Sequence, residues 1–148
     1  MMYRNGEKYF DPTAGEALSN VRREEKKRRK IESGDWFMKW VYIASPYRGD
    51  TEINIMRAKR YSRFAARQSA VPICPHIYLT LFLDDNIPEE REAGLYLGIQ
   101  MLKKCSEIWV FGSKISDGMQ KEIDFAKKNN ILIKYFDHNC KEVKHYGN

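Results

Sequence analysis

Cysteine, histidine and long apolar runs are all scarce in this chain. Its 148 residues hold three cysteines and three histidines. Cys74, Cys105 and Cys140 are odd in number and far apart, which leaves no disulfide framework and no metal-ligand pair. Cys74 and Cys105 stand among apolar residues and read as small core fillers. No second His or Cys lies at ligand spacing from His76, so no metal is expected. No cofactor is expected either. No apolar stretch approaches the roughly 20 residues of a membrane span. The segment Met1 to Gly6 lacks a signal peptide's apolar centre, and the expected location is cytoplasmic. There is no internal repeat and no low-complexity linker.

What remains is a folded chain with one domain's worth of core, 43% hydrophobic and 13% aromatic. The net charge of +6 suits an anionic ligand without requiring one. Much of it is local: Arg22 to Lys30 holds seven basic and two acidic residues. No aromatic residues interleave with these charges, so a solvated helix face is expected there rather than nucleic-acid contact. Thr13 and Glu16 have capping-box spacing and begin a helix from Ala14 to about Ile31. Residues 1–35 are read as an N-terminal helical arm, and residues 36–148 as an α/β domain.

That second part alternates strand and helix. Trp40 to Ala44, Val71 to Cys74, Glu107 to Phe111 and Ile131 to Phe136 read as buried strands, with a short fifth near Glu142 to Lys144. Thr51 to Ser69, Pro88 to Lys104 and Asp117 to Asn129 read as helices, the second with Leu95, Ile99 and Leu102 facing inward. His76 to Leu83 is apolar and aromatic, of either type. Tyr78, Leu81 and Phe82 within it suit a core or a subunit interface. The alternation predicts a flavodoxin-like three-layer α/β sandwich with a parallel sheet. In such sheets ligands bind beyond the carboxyl ends of the strands, where strand order reverses. Two loops leave strand ends with polar residues, Ser45 to Asp50 and Gly112 to Gly118.

The second loop is the more informative. Ser116-Asp117-Gly118 lies at a strand-to-helix turn, where backbone N–H groups and the helix dipole favour an anion. Glu122 follows into the helix. The residue four positions on is Ala126, so Glu122 has no ion-pair partner there.

Here the residues resemble a family. Tyr42-Ile43-Ala44-Ser45-Pro46-Tyr47-Arg48-Gly49 looks like the first-strand motif of the nucleoside 2-deoxyribosyltransferase-like proteins. Ser116-Asp117-Gly118 with Glu122 looks like their second motif. The match runs from about Lys39 to Phe136. The stretches Pro72 to His76 and Trp109 to Gly112 are similar to those of small uncharacterised bacterial and phage proteins of that superfamily. The resemblance implies that Glu122 is a nucleophile attacking C1′ of a nucleoside or nucleotide, and that Tyr42 orients it. A glycosyl–enzyme ester would form, as in retaining glycosidases. The helix start would keep this carboxylate ionised. Ser116 stands where nucleotide-specific members bind phosphate, and Arg48 nearby supports a 5′-phosphorylated ligand. Ser45, Asp50, Gly118 and His76 complete the expected ligand-binding set. The resemblance further implies a homo-oligomer, with a dimer favoured.

The chain departs from the pattern at one place. Catalysing members carry an Asp that handles the proton of the departing base, and that position falls near Gly98. The closest acids are Asp84, Asp85, Glu90 and Glu92, with His76 as another candidate. General acid catalysis contributes about 10²–10⁴-fold. The chain would then use a different acid, act on a good leaving group such as nicotinamide, or bind a nucleotide or signalling nucleotide without catalysis. A further alternative is an interaction protein that works through its basic arm.

Overall fold

The computed structural model describes residues 14–32 and 38–144. The chain divides into two compact units, Met1–Phe37 and Met38–Asn148. The described residues of the first unit form the helix α1 (Ala14–Glu32). The expected cap at Thr13 and the stop at Ser33 to Asp35 lie outside the described residues.

The second unit runs β1 (Trp40–Ala44), α2 (Thr51–Arg67), β2 (Val71–Ile73), α3 (Pro75–Tyr78), a 3-10 turn (Leu79–Leu81), α4 (Pro88–Lys103), β3 (Glu107–Phe111), α5 (Asp117–Lys128), β4 (Leu132–Phe136) and β5 (Glu142–Val143). The strand order is β2-β1-β3-β4-β5. This is the flavodoxin-like order, whose crevice lies between β1 and β3. The pairings β1–β2, β1–β3 and β3–β4 are parallel. The short fifth strand, β5, runs antiparallel to β4. It follows β4 through a tight turn in which Asp137 accepts from the Asn139 and Lys141 N–H groups. A connection that short can only reverse the chain.

Successive residues of β1 point to opposite faces, and each face has its own core. Val41 and Ile43 join Trp109 and Phe111 of β3 and Ala58, Tyr61 and Ala65 of α2. Tyr61 stacks on Phe111 at 4.4 Å, and Phe111 on Phe136 at 4.9 Å. Tyr42 and Ala44 point the other way. They join Ile108 and Val110 of β3, Leu102 of α4, and Met119, Ile123 and Ala126 of α5. The sheet is thus sandwiched, with α2 on one face and α4 and α5 on the other. Cys74 and Cys105 are buried free thiols, one in each core.

The segment after β2 resolves into α3 and the 3-10 turn, with Pro75 at the helix start, where its missing N–H costs nothing. Leu79 is its buried anchor. Tyr78, Leu81 and Phe82 are exposed, by 55%, 77% and 55%, so they are not core. Of the inward residues expected on α4, Leu102 is buried, but Leu95 is 47% exposed. No described helix is long and apolar enough to cross a membrane.

Candidate active site

β1 and β3 lie side by side, with Tyr42 opposite Ile108. The loops leaving their carboxyl ends therefore open onto the same crevice. Each loop is shaped by its own residues. Gly49 (φ +101°) and Gly112 (φ +104°) take left-handed backbone that other residues rarely adopt. Asp50 caps α2, its carboxylate accepting the Ile53 N–H at 3.3 Å. The Asn54 amide donates to the Tyr47 and Arg48 carbonyls, both at 3.0 Å, and ties the first loop back onto α2. In the second loop Ser116 caps α5 by accepting the Met119 N–H at 3.3 Å.

On α5 the buried residues are Met119, Ile123 and Ala126. Glu122 is three positions after the first and four before the last, which puts a carboxylate on an otherwise apolar stripe. The Tyr42 hydroxyl meets it, donating to Oε1 at 2.8 Å. The other oxygen, Oε2, is buried without a hydrogen-bond partner among the described residues. Burial pushes the Glu122 carboxyl up to about 7, against a smaller opposing pull from the Tyr42 hydrogen bond. Burial and the Glu122 charge together hold the Tyr42 hydroxyl protonated, well above its usual range. This corrects the expectation that the helix start keeps Glu122 ionised. The group is too far along the helix and too well buried for the dipole to prevail, since that effect fades within the first turn.

The pair lies at a cavity of about 330 Å³, a size suited to a small ligand. Tyr42, Arg48, His76, Ser116, Gly118 and Glu122 all line it. Ser45 and Asp50 do not. The Ser45 side chain is buried and its hydroxyl has no partner among the described residues. Asp50 is occupied as the α2 cap. Gly118 has space on its cavity side: a Cβ there would have the Ser116 hydroxyl at 4.0 Å as its nearest neighbour.

His76 stacks on Tyr47, with ring centroids 5.1 Å apart and planes 13° from parallel. Burial outweighs the opposing pull of the Ser45 backbone and keeps the imidazole below its ordinary pKa. Arg48 pairs with Asp85 at 3.3 Å, and Arg91 approaches the same carboxylate at 4.0 Å. Arg91 and Lys121 also line the cavity and were not singled out from sequence, because isolated cations on helices ordinarily face water. Gly98 lines it as well. A Cβ at Gly98 would stand 3.3 Å from the Tyr42 hydroxyl, so the bare backbone of α4 faces the Tyr42–Glu122 pair. Among the described residues no group of three or more His, Cys, Asp or Glu is placed to hold a metal ion.

The family model described as Domain of unknown function (DUF7768) matches residues 39–136. The chain belongs to this family. The matched region contains both loops and every cavity residue named above. No curated protein matches the chain. Among solved structures, this DUF7768 member is similar to the 2-deoxyribosyltransferase of Bacillus psychrosaccharolyticus, with a TM-score of 0.53 and 14% identity. The match covers 74% of this chain and 77% of that one. A looser likeness is to a 2-desoxiribosyltransferase from Leishmania mexicana, with a TM-score of 0.49 and 16% identity, covering 67% of this chain and 64% of that one. The fold of this DUF7768 protein is therefore nucleoside 2-deoxyribosyltransferase-like.

Proposed function

We propose that the protein cleaves or transfers at the N-glycosidic bond of a nucleotide-like ligand, with Glu122 as nucleophile and Tyr42 as the residue that orients it. The observation that carries this reading is the 2.8 Å hydrogen bond between Tyr42 and a Glu122 carboxylate whose other, buried oxygen has no hydrogen-bond partner among the described residues, at a cavity between the two neighbouring strand ends. The ionised Glu122 attacks C1′ through Oε2 and the base departs. Water or a second base then resolves the ester. The likeness in fold to 2-deoxyribosyltransferases agrees with this chemistry. Ser116, Gly118 and the N-terminus of α5, with Arg48 across the cavity, receive an anionic group such as a 5′-phosphate.

The test is base release from a panel of ribo- and deoxyribonucleotides. The native chain releases base and Glu122→Gln does not, while still binding the ligand. Full release by Glu122→Gln would remove the nucleophile assignment. A second reading, a nucleotide binder without catalysis, draws on the pKa of about 7, which leaves part of the Glu122 population protonated at neutral pH. Binding without release by the native chain would establish it.

The exposed Tyr78, Leu81 and Phe82 make an apolar surface beside the cavity, and we place a homodimer contact there. A cytoplasmic location fits the free cysteines.

A further inference from the structure

Besides Glu122 the cavity is lined by Asp85, Glu90 and Asp117, and each of these already has a partner in the fold or is exposed. Asp85 is engaged by Arg48 and Arg91. Glu90 accepts the Asp84 backbone N–H at 3.2 Å. Asp117 is exposed at the start of α5. His76 stacks on Tyr47, and burial holds its imidazole toward the neutral form. The Tyr42 proton is directed at Glu122 itself. Opposite that pair the wall is the backbone at Gly98, with Pro75 beside it. Leu79, Leu83, Leu95 and Ile99 extend the same lining as an apolar surface.

Resting on the proposed glycosidic chemistry, we infer that the preferred substrate is an N-glycoside whose base is already cationic, a pyridinium nucleotide. Such a base needs no proton to leave. The C1′–N bond breaks with its electron pair returning to the ring nitrogen, which neutralises the pyridinium. The Glu122–C1′ bond forms. Water then displaces Glu122 from C1′ and loses one proton to solvent. The flat ring fits the apolar wall at Leu79, Leu83 and Ile99. Its positive charge faces a buried carboxylate oxygen that has no other partner among the described residues. The same positive charge draws Glu122 toward its ionised form, which a neutral purine does not do.

The experiment measures base release by the native chain from nicotinamide mononucleotide, AMP, dAMP and CMP under one set of conditions. The expected result is release of the pyridine at least about 10²-fold faster than of any neutral base, the low end of what a missing general acid forfeits. Across pyridinium nucleotides with differently substituted rings, the rate falls steeply as the leaving pyridine becomes more basic. Equal or faster release of adenine or cytosine would overturn the inference and leave the glycosidase reading standing. A rate that rises with the basicity of the leaving pyridine would also overturn it, because unassisted departure must be slower for the poorer leaving group. No release from any member of the panel would overturn both.

Discussion

The Tyr42 hydroxyl and the Glu122 carboxylate, 80 residues apart in sequence, meet at 2.8 Å because β1 and α5 share one face of the sheet. Glu122 is held on one oxygen, and the other is buried without a hydrogen-bond partner among the described residues. Replacing Tyr42 by Phe keeps the ring in its core and removes only this bond. A hydrogen bond to a charged group contributes about 1.5–3 kcal/mol. Base release should therefore fall by about 10- to 100-fold. Losing the bond also lifts the Glu122 pKa further, so the rise of rate with pH should move to higher pH. Rate profiles of the native chain and Tyr42→Phe measure both.

The raised carboxyl of Glu122 has a consequence for stability. Its folded pKa of about 7 lies above the ordinary 4.5 of the unfolded chain. Between those values the folded state binds the extra proton, so stability falls as pH rises. The penalty is absent below about 4.5 and complete above about 7, where it approaches about 3 kcal/mol. Glu122→Gln has no such group. Urea unfolding at pH 5 and pH 8 should show the variant gaining on the native chain at the higher pH.

Asp50 and Asn54 should separate by what they hold. Asp50→Ala removes the α2 cap and should cost about 1 kcal/mol, with the rate of base release nearly unchanged. Asn54→Ala frees the Tyr47 and Arg48 carbonyls and loosens the loop that carries Arg48. It should raise KM more than it lowers kcat. Thermal melts together with steady-state kinetics would show the contrast.

Leu81→Glu with Phe82→Glu should abolish a dimer without unfolding the domain, since both side chains are exposed. Light scattering on native and variant chains decides it. A monomeric native chain at micromolar concentration would remove the proposed contact.

Most of the sheet was legible because Trp40 to Ala44 and Ile108 to Phe111 are unbroken apolar runs, as strands buried on both faces must be. The orientation of β5 was not, because two residues carry no periodicity. Glu122 could be singled out because it follows the Ser116-Asp117-Gly118 turn and has Ala126, not a cation, four residues on. Its protonation could not, since that depends on how completely α4 and β1 close over it. Leu95 looked like core from spacing alone. It is instead part of a cavity wall, a distinction that only the gap between α3, α4 and α5 creates. Ser45 and Asp50 read as ligand groups because they share a loop with Arg48. One is turned into the interior and the other into a helix cap.

The central claim is that Glu122 forms a bond to the sugar. A nucleotide whose 2′ position carries fluorine slows breakdown of such an ester more than the chemistry can recover, so the intermediate accumulates. Intact-mass spectrometry of the native chain after incubation with a 2′-fluoro pyridinium nucleotide should show the added mass of one glycosyl phosphate. Peptide mapping should place it on Glu122, and Glu122→Gln should show none. Base release without any adduct, continuing undiminished in Glu122→Gln, would contradict the account.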